Sequence, residues 1–206
     1  MSVSPREDPC GDTAEVFYDR SRNYLYALIC DGMGSGKEAN EISQRASSIV
    51  KPLLLGGLSP QNAVKALSML LSQHSDRDEI STTVDLMRID LYTGEGIAIK
   101  CGAAPSYIKR GGEIIRLSAR TLPLGILEAS DLEPISFSAR ENDVIVLVSD
   151  GVSECENDSL PLLDYLNSKR ASVPKELTDG IIELSRKNGR EDDLSVIAVK
   201  IFPQNY

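Results

Sequence analysis

The chain has 206 residues, with 31 Asp and Glu against 22 Lys and Arg and a net charge of −9. At 41% hydrophobic and 26% charged it has the balance of one globular domain with a sizeable core. A surface this acidic repels nucleic acid and anionic lipid, which excludes both as main partners, and no apolar run approaches the ~20 residues that cross a bilayer.

Residues 1–10, "MSVSPREDPC", hold two prolines and no apolar core. They read as an irregular lead-in and not as a signal peptide. Such a short lead-in also fits a piece of a longer protein. Cys10, Cys30, Cys101 and Cys155 are widely spaced with no Cys-x-x-Cys pair, so the expectation is reduced thiols in a cytoplasm. "YLYALIC" (24–30) reads as a buried strand. A helix is predicted from Lys37 to Leu55, with Ile42, Ala46, Ile49, Val50, Leu53 and Leu54 on its apolar face. Pro52 is expected to kink its last turn, and Gly56-Gly57 to end it. Ser59-Pro60 opens a second helix, whose stripe of Val64, Leu67 and Leu71 continues to His74.

The middle of the chain is β-rich. "TTVDLMRIDL" places Met87, Ile89 and Leu91 on one face, and "GIAIKCG" does the same with Ile97, Ile99 and Cys101. "SYIKR" and "EIIRL" flank Gly111-Gly112, the composition of a tight hairpin. "DVIVLVSDG" is a continuous apolar strand ending at Asp150. Two helices follow, "SLPLLDYLN" and "VPKELTDGIIELSRKNG". The second has Leu177, Ile181 and Leu184 on one face and Asn188-Gly189 as its stop. "DLSVIAVKIF" is a last strand. With no repeats or linkers, residues 1–206 read as a single domain. Hairpin-joined strands with helices at either side predict an antiparallel α+β sandwich.

"LICDGMGSGKEA" (28–39) raises the question of a phosphate loop. A P-loop ending at Gly36-Lys37 would need glycine at Asp31 and a hydroxyl at Glu38, so negative charge stands where phosphate would sit. A dinucleotide fingerprint lacks the acid and the next strand that it requires. The Asp-Gly pair recurs at Asp150-Gly151, again behind an apolar strand. One Asp-Gly is an ordinary turn. Two at strand mouths, with Asp12 and Asp192-Asp193 also where loop meets strand, point to a carboxylate cluster. Oxygen-only ligands of this kind select hard ions such as Mg²⁺ or Mn²⁺. Glycines let the backbone approach an ion, and Gly32 can offer its carbonyl. No cysteine is followed six residues on by arginine, and Asp31 is followed by Gly32-Met33 and not by a second aspartate two residues on, so cysteine and aspartyl-phosphate phosphatase chemistries are excluded. No Gly-x-Ser-x-Gly elbow accompanies the single histidine.

"GDTAEVF", "ALICDGMGSGKEA", "DEISTTVDLMRIDLYTGEG", "CGAAPSYIKRGGEII", "TLPLGIL", "VIVLVSDGV" and "EDDLSVIAVKI", in this order, resemble the metal-dependent (PPM-type) serine/threonine protein phosphatases. The closer resemblance is to the phosphatase domain of stage II sporulation protein E and its stress-response relatives. It implies a four-layer αββα sandwich with two central, mainly antiparallel sheets. It implies two divalent ions, Mn²⁺ or Mg²⁺, held by Asp12, Asp31, the Gly32 carbonyl, Asp150 and Asp192, with Asp193 as second choice. Asp31 would bridge the ions and position the hydrolytic water. The implied reaction is hydrolysis of phosphoserine or phosphothreonine in an anti-anti-sigma-like protein. A regulatory domain or partner would act on the two helices after Asp31. The only histidine, His74, lies on a helix stripe, which favours packing over general-acid catalysis. The other readings are a non-catalytic phosphatase-like binding module and a metal-dependent small-phosphate hydrolase.

Overall fold

The computed structural model describes residues 2–3, 9–72, 80–126, 132–153, 160–168, 173–187 and 192–203. His74, the Asn188-Gly189 stop and Cys155 lie outside them. In chain order the elements are β1 (Ser2–Val3), β2 (Asp12–Asp19), β3 (Tyr24–Gly32), α1 (Gly36–Leu55) and α2 (Pro60–Ser72). There follow β4 (Thr82–Asp90), β5 (Glu95–Cys101), β6 (Ser106–Arg110), β7 (Glu113–Leu117), β8 (Ile135–Ser138) and β9 (Val144–Val148). The last are α3 (Leu160–Asn167), α4 (Pro174–Lys187) and β10 (Leu194–Lys200).

Two five-stranded sheets form, in the orders β1-β10-β9-β6-β7 and β2-β3-β4-β5-β8, and every pairing is antiparallel. Three apolar layers glue the sandwich. Leu28, Val84, Leu86 and Ile99 meet Val50, Leu54, Val64 and Leu67 of α1 and α2. Val146, Val148 and Val196 meet Leu166 of α3 and Leu177 and Ile181 of α4. Leu25, Ile29, Met87 and Ile89 meet Ile108, Ile145 and Leu147 between the sheets. The result is the expected αββα order. Alternate residues of one strand serve two different apolar layers, which is why β3 and β9 read as unbroken apolar runs.

The helix after Asp31 is rotated from its predicted face. Its fully buried line is Ala39, Ser43, Ala46, Ser47, Val50 and Leu54, whereas Ile42, Ile49 and Leu53 are only half-buried. Small side chains on that line let α1 lie close to the sheet. Its hydroxyls make polar contacts there: Thr13 bonds Ser43 at 2.8 Å, and Ser47 donates to Glu15 at 2.6 Å. Gly57, with φ of +97°, ends the helix: its N–H reaches the Leu54 carbonyl and Leu58 N–H the Leu53 carbonyl. Pro52 is accommodated within the last turn.

Three further expectations need correction. Residues 1–10 are not wholly irregular, because Ser2 and Val3 pair with Ser195 and Leu194 and occupy the edge beside β10. Leu91 lies past the end of β4 in the turn and is exposed. Strand β9 stops at Val148, so Asp150 stands in the turn after it. The short strand β8 was not read from the sequence. The face of β5 opposite Ile99 is also covered: Ala98 and even Lys100 are buried.

Candidate metal centre

The register of the second sheet brings the first acids together. Asp12 opens β2 and is the direct cross-strand partner of Asp31 near the end of β3. Such partners have Cβ atoms about 5 Å apart, where two like charges at an effective dielectric of about 20 repel by about 3 kcal/mol. Sheet formation therefore forces on these two carboxyls a repulsion that a core would avoid.

The other acids arrive from the facing sheet. Asp150 follows β9, and Asp192 and Asp193 precede β10, which is paired with β9. Ser149 N–H donates to the Ser195 carbonyl at 3.0 Å, which ties the two loops side by side. Gly151 is required there: a Cβ on it would collide with the Asp193 carbonyl oxygen and come within 3.2 Å of the Asp192 Cβ. One carboxylate oxygen of Asp193 accepts the Gly11 N–H at 2.5 Å, which draws this loop to the residue before Asp12. Asp192 accepts the N–H of Asp193 at 2.8 Å.

The charges act on one another across the two sheets: Asp31 feels Asp12, Asp150 and Asp192, and Asp12 feels Asp150 and Asp193. Burial pushes the Asp31 carboxyl up to about 9, and the charges of Asp12, Asp150 and Asp192 add to it, as does a hydrogen bond with Asp150. Burial likewise raises Asp12 to about 6, with contributions from Asp150 and Asp193, while hydrogen bonds from Ser195 and Ser149 pull the other way. One oxygen of Asp12, Oδ2, is buried with no hydrogen-bond partner. A carboxylate oxygen held dry and unbonded, among neighbours of its own charge, is stabilised by a cation or a proton and by little else. Among the described residues no group of three or more His, Cys, Asp and Glu side chains stands close enough together to hold a metal ion as they are placed. The all-oxygen donor set fits a hard divalent ion. The Cys10 thiol close by is pushed up to about 12 by burial and by the charges of Asp12, Asp193 and Asp31, so it is not a nucleophile.

The Gly32 position is built for close approach. A Cβ there would strike the Ala39 carbonyl in the first turn of α1. Its N–H donates to the Gly11 carbonyl at 3.3 Å. The Asp31 carbonyl accepts the Thr82 hydroxyl at 2.7 Å, and Thr82 is also bridged through its backbone to Leu124. The sequence reading did not include Thr82, Ser149 or Ser195. Their signal was local: Ser149 directly precedes the second Asp-Gly, Ser195 lies two residues after Asp193, and Thr82 opens the strand facing Asp31.

The family model for stage II sporulation protein E (SpoIIE) matches residues 21–202. The chain belongs to the SpoIIE family. It is 32% identical over 198 residues to stage II sporulation protein E of Bacillus subtilis (strain 168), covering 93% of this chain and 24% of that protein. It is 34% identical over 198 residues to the Priestia megaterium protein of the same name, covering 93% and 34%. The chain thus spans a quarter to a third of the length of these relatives. Among solved structures, the PP2C phosphatase domain with a fragment of the regulatory domain of SpoIIE from Bacillus subtilis superposes with a TM-score of 0.89 at 28% identity, over 100% of this chain and 63% of that one. The αββα architecture is therefore the PP2C phosphatase fold. In this SpoIIE-family chain the acids expected from the sequence lie at one end of the sandwich, where the two sheets meet. Among the described residues no helix is long and apolar enough to cross a membrane.

Proposed function

We propose that residues 1–206 form one divalent-metal-dependent phosphatase domain that hydrolyses phosphoserine or phosphothreonine in a protein. The observation that carries this is the forced pairing of Asp12 with Asp31, completed by Asp150, Asp192 and Asp193 from the facing sheet. We assign Asp12, Asp31, the Gly32 carbonyl, Asp150 and Asp192 to holding two divalent ions, Mn²⁺ or Mg²⁺, with Asp193 in support. Ions bound there supply Lewis acidity toward a phosphoryl group and lower the pKa of water.

The chain's own residues set the stage. Asp31 stands at the centre, because its carboxyl feels Asp12, Asp150 and Asp192 together. Thr82 fixes the Asp31 backbone through its carbonyl, and Ser149 and Ser195 hold Asp12. Asp193 is half-buried and bound to Gly11 N–H, so its role is to lock the last loop onto β2; Asp192 is the more exposed of the two. Helix α1 meets the site directly, since Ala39 packs on Gly32. A regulatory domain or partner that moves α1 and α2 would therefore move a ligand backbone. The substrate we infer is an anti-anti-sigma-like phosphoprotein in sporulation or stress-type sigma-factor control. The setting we infer is the cytoplasm, with any membrane tether supplied by chain beyond this span.

The test is turnover of p-nitrophenyl phosphate and of a phosphoserine peptide with manganese, for the parent and Asp31→Asn. The expected outcome is activity in the parent, dependence on added metal, and loss of at least about a hundredfold in the variant. Equal rates in the two proteins would remove Asp31 from the centre of the reaction.

A further inference from the structure

A cavity of about 810 Å³ opens beside the acids, with Asp150 and Ser153 in its wall. Its other walls are Gly102–Pro105, between β5 and β6, and the stretch from Arg116 to Thr121. A space of this size holds several residues of a peptide and far exceeds one phosphoryl group.

The walls are fixed relative to the acids. Buried Lys100 donates to the Ala104 carbonyl at 2.6 Å, which pins the small-residue loop. Thr121 clamps the opposite segment: its hydroxyl donates to the Lys100 carbonyl at 2.9 Å and accepts Gly102 N–H at 3.1 Å. Leu124, three residues on, is bridged to Thr82, whose hydroxyl holds the Asp31 carbonyl. The cavity is thus preformed and in register with the metal centre.

Its charges are arranged unevenly. In a chain of net charge −9, two arginines, Arg116 and Arg120, line this cavity. Arg116 is exposed, and no ion pair occupies it among the described residues. The sheet register sets its distance from the acids. Arg116 and Val146 both pair with Tyr107, so they stand in one rank two strands apart, and Asp150 is four residues beyond Val146. With strands ~4.8 Å apart and ~3.3 Å per residue, the Arg116 Cα is on the order of 12 Å from that of Val148 at the end of β9, and Asp150 stands in the turn just past it. A phosphoryl group at the acids leaves a carboxylate two to four residues away in an extended peptide at a span of about 7–14 Å, within reach of a long arginine side chain from the other wall.

Resting on the phosphatase reading above, we propose that this cavity receives the residues flanking the phosphorylated serine, and that Arg116 recognises an acidic side chain two to four positions from it. The substrate class is then a phosphoserine segment with an acidic flank, read by a bidentate guanidinium–carboxylate contact. Arg116 is a specificity-determining residue here and takes no part in the chemistry.

The test uses the full chain with manganese and three phosphoserine peptides that are alike except for an Asp, an Ala or a Lys flank at those positions. The parent is expected to favour the acidic over the neutral peptide about tenfold in kcat/KM, the size of one charge-assisted contact. In Arg116→Ala that ratio falls to near one, and in Arg116→Glu the preference passes to the Lys peptide. A parent that cleaves the acidic and neutral peptides equally well, or a preference that survives Arg116→Ala, overturns the proposal and leaves the phosphatase reading standing. A parent that cleaves none of the three with manganese overturns the phosphatase reading itself, and this proposal with it.

Discussion

Removing the central charge should stabilise the metal-free protein and abolish its response to metal. In Asp31→Asn the side chain keeps its shape and can still donate a hydrogen bond to Asp150, but it no longer ionises. The Asp31 carboxyl is pushed from 3.8 up to about 9, first by burial and then by Asp12 and Asp150. A carboxyl raised in this way binds its proton more tightly folded than unfolded. Stability is therefore lost as pH rises from the unfolded carboxyl value near 4, through about 6 for Asp12 and on toward about 9 for Asp31. Near pH 7 the Asp31 shift has acted over about three pH units, a ceiling of about 4 kcal/mol at 1.36 kcal/mol per unit. The site opens to water beside a cavity, so about half of that, about 2 kcal/mol, is the expected gain from the substitution. For a chain of this length that is roughly 4–8 °C in melting temperature. The assay is thermal melting in chelator and in manganese, between about pH 5 and pH 9. In chelator the parent should melt lower as pH rises, and Asp31→Asn should melt higher than the parent with a flatter profile. Manganese at about a hundred times its Kd should raise the parent by about 2.7 kcal/mol and leave the variant nearly unmoved. A parent whose metal-free stability rises with pH across this range, or a variant less stable than the parent in chelator, would refute the idea of a self-repelling cluster.

Two other substitutions probe how the site is held. Gly151→Ala puts a Cβ into the Asp193 carbonyl and should push the Asp192-Asp193 loop away from Asp150; calorimetric titration is expected to show manganese affinity at least about tenfold weaker, with the fold retained by circular dichroism. Lys100→Ala leaves Asp85 buried without its cation, since Lys100 donates to Asp85 at 2.8 Å with both side chains almost wholly covered. Urea melts should show a loss of about 3–5 kcal/mol, and a Lys100→Met, Asp85→Leu double variant should recover a good part of it.

The acids that gather at the strand ends were legible in the sequence because two separate constraints mark them. An apolar strand that ends in an acid is a local contradiction, and the glycine after each acid signals that backbone or side chain must come close. Gly32 and Gly151 meet that need against Ala39 and the Asp192-Asp193 loop. The helices were legible in existence and span, but the buried face of α1 was not. Apolar periodicity favoured Ile42, Ile49 and Leu53, whereas the seam is filled by Ala39, Ser43, Ala46 and Ser47, residues chosen for size and for hydroxyls that pair with Thr13 and Glu15. Hydropathy carries no record of such a seam. Lys100 escaped for the same reason in reverse. A lysine in a strand reads as a solvent-facing residue, and only its cross-strand partner Asp85, with Ser106 of the other sheet and the Ala104 carbonyl of the connecting loop, makes its burial tolerable. Strand β8 is short and half-exposed, and its place beside β5 follows from pairing across a long separation in the chain, which no local pattern encodes. What the chain announces locally is where charge is misplaced. Which charge is compensated within the protein, as at Lys100, and which is left uncompensated, as at Asp12 and Asp31, depends on the residue paired across the strands. Both cases place ionisable groups on buried strands, and only the cross-strand partner differs: a lysine beside Asp85, a second aspartate beside Asp31. That difference makes one pair a structural brace and the other the repelling pair that we propose as an ion site.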